Sequence, residues 1–366
     1  MGRRFLLLLL LALSATLLHA ILLPSVVGGG YSFVPLYAGS IEQVRLEPMY
    51  NREVPALPSP MAIYSREQIG FIDPADGTVL FRGEPAYGAA VTSWGFANFG
   101  KAPSNIVFQK PDGSPSFSLA EPGYPVARGD ALLLLHANGH EVSEYDETGA
   151  EIWRLGAVSP ITAVDAVADR RAVGFMSGDV YVTRLEEEQN DPAWVRLPLP
   201  LSEVPIVYNL AFDAEGDALV VRSGLDLQFI SYFELPSELE GGMQSTWVSE
   251  VPTPSLNPGA ISVESAGEVL VELSDELLVF DRSEGTLIDR RSATALAGAV
   301  TIPDNGVTVR ILRREELREE FLLLSPRGRE LYRAELPEPG LTVSAFGTVL
   351  VLAKGREVAL VEVSRR

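Results

Sequence analysis

A chain of 366 residues, 46% of them hydrophobic and 21% charged, carries enough apolar side chain for a packed core and does not have the composition of a disordered protein. Its 49 acidic residues against 29 basic ones leave a net charge of −20 with no basic stripe, which argues against a nucleic-acid partner. Cysteine is absent, which removes disulfides, thiolate metal sites, a cysteine nucleophile and the lipidated cysteine of a lipoprotein.

The first element is an almost unbroken apolar run from Phe5 to Val27 behind Arg3 and Arg4. As a helix it would reach roughly 35 Å, enough to cross a hydrocarbon core of about 30 Å. Residues 1–27 therefore read as an export signal for the general secretory route. It is either retained as a membrane anchor or cleaved after Ala20, with the basic flank inside and the remainder exported. Gly28-Gly29-Gly30 opens a tether over residues 28–40, and residues 41–366 form the body.

Along that body one pattern recurs: FIDPADGTVLFRGEP (71–85), FQKPDGSPSFSLAEP (108–122), YDETGAEIWRLG (145–156), FDRSEGTLIDRR (280–291) and LSPRGRELYRAELP (324–337). Each is a short apolar strand, a polar turn ending in glycine and a second strand. Gly77, Gly113 and Gly149 are equally spaced, 36 residues apart. The fourth residue after the glycine is aromatic in four copies, Phe81, Phe117, Trp153 and Tyr332; in the Gly285 copy Asp289 holds the place, and Ile288 would have to slip by one. Outer strands without the short turn stand at Val44, Trp194 and Trp247. The anchors Val44, Phe81, Phe117, Trp153, Trp194, Trp247, Ile288 and Tyr332 thus predict eight copies. Hairpin patterns lie between them, among them ALLLLHANGHEVSEYD (131–146), AVGFMSGDVYVTRL (172–185) and GTVLVLAKGREVALVEV (347–363).

Four strands in about 41 residues, small side chains first and a large aromatic last, is the pattern of a β-propeller blade. The expectation is an all-β, eight-bladed β-propeller, or a seven-bladed one if residues 41–60 are only a linker. Trp153, Trp194 and Trp247 are read as packing between blades. The chain ends on three strands without a fourth, and IEQVRLEP (41–48) is an orphan outer strand, so that segment is expected to close the ring and cover its open edge.

The stretch from Asp73 to Phe81, with Asp146, Thr148, Gly149 and Trp153 beside it, resembles the docking repeat of quinoprotein-type (PQQ-like) β-propellers. That family includes quinone-dependent dehydrogenases and a non-catalytic scaffold of outer-membrane barrel assembly. The resemblance implies the fold and does not choose between those activities. This chain lacks the cysteine that anchors the scaffold and the cysteine pair of many of the dehydrogenases. WD-type propellers are a poorer match, although AFDAEGDALVV (211–221) has their flavour.

Chemistry is sparse. His19 lies in the export segment; His136 and His140 flank the turn in HANGH, where Glu141 or Glu144 would complete a metal site, but such turn histidines are more often solvated. No nucleophile elbow or phosphate loop is present. Asp213, Asp217 and Asp304 sit in turns that would suit calcium, with turn formation the simpler reading. The charge runs EEEQND (186–191) and RREELREE (313–320) read as loops or hairpins lengthened into solvent, the second with alternating signs that suit an exposed, salt-bridged turn of helix. No catalytic, cofactor or metal residue is assigned and no cofactor is expected. The sequence therefore points to a non-catalytic, monomeric, extracytoplasmic propeller that binds envelope or membrane proteins. The alternative is a propeller enzyme, either a quinone-dependent oxidoreductase or a carboxylate-based hydrolase.

Overall fold

The computed structural model describes residues 31–49 and 60–365, apart from 66, 186–191, 240–242, 265–266, 275, 293–294, 303–305, 315–317 and 337–338. The N-terminal helix expected over residues 1–27 lies outside the described residues, as do the run 186–191 and Asp304. Among the described residues no helix is long and apolar enough to cross a membrane.

The described residues form eight antiparallel sheets in succession. Blade 1 comprises Met61–Tyr64, Ile69–Asp73 and Thr78–Gly83; blade 2 Gly88–Thr92, Gly95–Phe99, Ile106–Gln109 and Pro115–Leu119; blade 3 Gly123–Arg128, Ala131–His136, Glu141–Tyr145 and Glu151–Gly156. Blade 4 is Ile161–Val167, Arg170–Phe175, Val180–Arg184 and Val195–Leu197; blade 5 Val207–Phe212, Ala218–Ser223, Phe229–Glu234 and Trp247–Glu250; blade 6 Ile261–Glu264, Glu268–Glu272, Glu276–Asp281 and Leu287–Ser292. Blade 7 is Ala295–Thr301, Thr308–Arg314, Arg318–Leu324 and Glu330–Leu336. The expected hairpins all form. Second strands such as Arg170–Phe175 and Ala218–Ser223 are buried along their whole length because a neighbouring blade covers each face, and even their arginines, Arg170, Arg171 and Arg222, lie inside. Fourth strands such as Glu151–Gly156 lie at the rim and are largely exposed.

Blade 8 closes the ring. Its first three strands are Leu341–Phe346, Val349–Lys354 and Glu357–Arg365, and its fourth comes from the other end of the chain, Tyr31–Ser40. That strand runs antiparallel to the last one from Tyr31 opposite Arg365 to Ser40 opposite Glu357, with a bulge at Pro35–Tyr37 that suits a residue with no N–H to donate. The closing strand is therefore residues 31–40, not 41–48. The segment IEQVRLEP has too many charges for that place, whereas Phe33, Leu36, Tyr37 and Ala38 are buried. Residues 41–48 turn back over the rim instead. Glu47–Pro48 pairs with Ala38 and Tyr37, while Arg45 bridges to Thr78 of blade 1, so the segment seals the seam between the first and last blades.

A buried apolar cluster fills each of the eight boundaries. Phe71 meets Phe96 between blades 1 and 2, Phe108 and Leu134 lie between 2 and 3, and Trp153 and Phe175 between 3 and 4. Leu197 and Phe233 follow, then Tyr232 and Phe280, Leu277 and Leu322, Ile311 and Val361, and finally Tyr37 and Ile72 between blades 8 and 1. The last cluster makes the arrangement a ring and not a linear stack.

The rim aromatic of one blade stands on the turn glycine of the next. A methyl group on Gly113 would lie 2.7 Å from the Phe81 ring, and one on Gly149 2.6 Å from the Phe117 ring; Trp247 covers Gly285 in the same way. Tyr37 does this for blade 8, 2.8 Å from a methyl on Gly77, and its hydroxyl donates to the Ala75 carbonyl at 3.1 Å. Tyr37 thus takes the place expected of Val44, which is 83% exposed on the rim. In blade 6 there is no slip. Asp289 faces Val279 in the register that Trp153 holds against Glu144, and Ile288 is the bulged residue, 53% exposed. Trp194 precedes the short strand Val195–Leu197 and meets Trp153 edge-on at 5.1 Å.

Candidate functional site

Polar residues at the blade boundaries are mostly engaged in holding blades together. Glu144 of blade 3, buried, accepts from Trp153 Nε1 at 2.6 Å and from Arg171 of blade 4 through Nε at 2.5 Å and Nη2 at 2.6 Å. Arg310 of blade 7 pairs with Glu264 and Glu268 of blade 6. Burial pushes the Glu264 carboxyl up, and its hydrogen bonds to Arg310 oppose that shift. Asp213 of blade 5 accepts from Arg282 of blade 6 at 2.5 Å, and the same guanidinium donates through Nε to Tyr232 Oη at 2.7 Å. Such pairs cost much desolvation and serve chiefly to fix one arrangement of neighbours. The alternation of the strands that carry them hides them in sequence, because a charge on a rim strand and a charge between blades look alike.

The residues singled out for chemistry are not brought together. His136 is buried, its Nδ1 3.1 Å from Glu121 Oε2 and its Nε2 3.0 Å from Ser143 Oγ, while the backbone N–H of His140 donates to Asn138 Oδ1 at 2.9 Å within the turn. Glu144 is committed to Arg171, and Asp213 to Arg282. Among the described residues no group of three or more His, Asp or Glu side chains is placed to hold a metal ion. The described residues of the run 313–320 lengthen a hairpin and form no turn of helix. Arg313 and Arg314 end one strand and Arg318–Glu320 begin the next, with Glu319 and Glu320 buried against Arg313 and Arg333.

Because consecutive strands are antiparallel, the two ends of the ring differ. The turns between first and second and between third and fourth strands share one face; the second-to-third turns and the blade-to-blade connections share the other. The first, the turn face, is polar: Asp146 accepts from the N–H groups of Thr148 and Ala150, and Asp281 from those of Ser283 and Glu284. It holds an open crevice of about 620 Å³ between blades 5 and 6, lined by Asp217, Tyr232, Glu234, Gly267, Asp281, Arg282 and Ser283. The second, the connection face, carries more of the exposed large apolar side chains. Among the described residues the exposed large apolar side chains are Tyr64, Tyr87, Tyr124, Val158, Met176, Leu201, Val204, Leu227 and Leu256 on this face, with Val44, Met49, Leu80, Val107, Val248, Leu287 and Ile288 on the rim and none in the turns of the other face.

The connection-face loops of blades 3 to 6 are fastened to one another. Ser177 N–H donates to Ser159 Oγ at 2.8 Å, Leu225 N–H to the Val204 carbonyl at 2.9 Å, Gln228 Nε2 to the Ser255 carbonyl at 2.7 Å, and Ser255 Oγ lies 2.6 Å from Ser274 Oγ. Ser202 Oγ bonds to Asp226, which holds that carboxyl down at about 2. Arg222 is fully buried beneath this belt. It donates to the carbonyls of Asn257 at 2.8 Å, Pro258 at 3.1 Å and Ser255, to Gln228 Oε1 at 3.0 Å, and stands 5.0 Å over the Tyr208 ring. Burial pulls its pKa down to about 10, Tyr208 opposing. The Pro-rich connection that displays Leu256 is thus pinned from below.

Solved structures similar to this chain include BamB from Moraxella catarrhalis, with a TM-score of 0.57 and 14% identity over 90% of this chain and 97% of that one. The computationally designed Ika8 protein gives 0.57 and 13% over 90% and 96%. At these identities the likeness is one of fold. An uncharacterized protein of Treponema pallidum (strain Nichols) is 32% identical over 120 residues, so the chain matches only 30% of that relative's length and 32% of its own. A family model described as beta-propeller protein matches residues 5–316, and the chain belongs to that family.

Proposed function

We propose that this propeller is a non-catalytic, extracytoplasmic scaffold of the cell envelope that binds other proteins through its connection face. The observation that carries the reading is the one-sided distribution of exposed apolar side chains: Val158 and Leu201 are 98% and 95% exposed and Leu256 73%, all on loops tied in place rather than free to fold over them. An apolar surface gathered on one face of a polar molecule is what a protein-binding site needs. The export signature of residues 1–27 supports the location, and the resemblance to a repeat family that includes an envelope scaffold supports the role. A propeller enzyme would need an acid–base pair free to act, whereas Glu144, Glu264 and Asp213, three of the buried carboxylates, are each engaged by an arginine across a blade boundary. The test is photo-crosslinking in intact cells from a probe residue placed at Leu201, at Leu256 and, on the opposite face, at Glu284. Discrete protein adducts from the first two positions are expected; no adduct from any position would overturn the scaffold reading.

A further inference from the structure

The connection face is not uniform. Its densest apolar stretch is an arc over blades 3 to 6, carried by Val158, Met176, Leu201, Val204, Leu227 and Leu256. The loops that carry it, 157–160, 176–178, 198–206, 224–228 and 251–260, contain no lysine or arginine. They do contain Glu203 and Asp226, both exposed, and Asp226 is held in place by the hydrogen bond it accepts from Ser202. The arginines that come near are already paired, Arg196 with Asp179 and Arg290 with Glu276. The arc is therefore an apolar track with two neighbouring carboxylates, Glu203 and Asp226, at its blade 5 section and, among the described residues of its loops, no cation.

From this we infer that the arc takes an amphipathic, basic protein segment, one whose apolar side chains are flanked by lysine or arginine; the inference rests on the scaffold reading and adds the part of the connection face used and the chemistry of the partner. Apolar burial supplies attraction, and the anionic border selects the sign of the flanking charge. An anionic lipid surface would present apolar chains behind the wrong charge, and the net charge of −20 opposes its approach. The arc is stiff. Its loops are joined by the hydrogen bonds from Ser177 to Ser159, Leu225 to Val204 and Gln228 to Ser255, and Arg222 holds the Leu256 loop from beneath, so little ordering remains to oppose binding.

The test uses the purified full chain and fluorescent peptides of about 18 residues, long enough for five helical turns. One is an amphipathic Leu/Lys peptide, the second has Glu in place of Lys, and the third is a scramble of the Leu/Lys composition. By anisotropy at about 150 mM salt, where loose charge attraction is screened, the amphipathic Leu/Lys peptide should bind at least about tenfold more tightly than either other peptide. Leu201→Ser with Leu256→Ser should weaken it about tenfold, and Glu203→Gln with Asp226→Asn several-fold with a shallower salt dependence; Glu284→Gln, on the turn face, should leave it unchanged. Equal binding of the scramble, indifference to the leucine substitutions, or equal binding of the Leu/Glu peptide would each overturn the inference. Cellular adducts confined to the Glu284 probe would also overturn it, together with the choice of the connection face, while leaving a protein-binding scaffold in place, whereas absence of adducts from every probe would remove the scaffold reading itself.

Discussion

Gly149 shows how much a single position decides here. Its φ of +84° lies in the left-handed region, and the Phe117 ring of the preceding blade occupies the space a side chain would need. Gly139 has a similar φ of +73° and nothing within 4 Å. Gly139→Ala should therefore cost only the conformational term, about 1 kcal/mol, whereas Gly149→Ala should cost about 2 to 4 kcal/mol because overpacking adds to it. Urea denaturation of the two variants separates the contributions. Glu144 is decisive in a different way, since it satisfies both Arg171 and the Trp153 indole in a buried boundary. Glu144→Gln should destabilise by on the order of 3 to 5 kcal/mol, and the double replacement Glu144→Leu with Arg171→Met should recover most of that, because the loss comes from leaving one charge buried alone. Equal losses in the single and double variants would show that packing and not charge governs the site.

Among elements, the hairpins and rim strands were legible in sequence because their glycine turns and aromatic spacing impose local geometry that no distant residue can change. The closing strand was legible as a need and not as a position. Three strands without a fourth announce the missing edge, but Tyr31–Ser40 and IEQVRLEP are both strand-like, and only the burial of Phe33, Leu36 and Tyr37 between two sheets selects the first. The anchor of blade 8 was missed for the same reason: Tyr37 carries no turn glycine of its own and is recognised by the one it covers, Gly77, in the next blade. In the loop belt, Asp226 links two connections and makes a prediction in pH. Its folded pKa, held at about 2 by the Ser202 hydroxyl, lies below the unfolded carboxylate value of about 3.9, so its contribution to stability is complete above that value and is lost as pH falls through about 2. In an NMR titration the Asp226 carboxyl should turn over near 2 in the natural chain and close to the ordinary carboxylate value in Ser202→Ala; an unchanged midpoint would mean that the hydroxyl does not hold it.

For the whole molecule, the apolar connection face could not be read from composition, because Leu201 and Leu256 look like core residues until the ring decides which loops share an end. The cross-blade ion pairs were equally hidden, since each partner belongs to a different repeat. Both depend on the ring being closed by the N-terminal strand. Ser32 and Ser364 face each other across that closure with their hydroxyl oxygens 2.8 Å apart, and the chain has no cysteine of its own. The double variant Ser32→Cys with Ser364→Cys should form a disulfide on oxidation without competing pairings. Relative to its reduced form it should then gain on the order of 3 to 5 kcal/mol in urea denaturation, as the bond ties nearly the whole chain into one loop. Failure of the two thiols to pair under oxidising conditions, with the protein folded, would contradict a ring closed by residues 31–40.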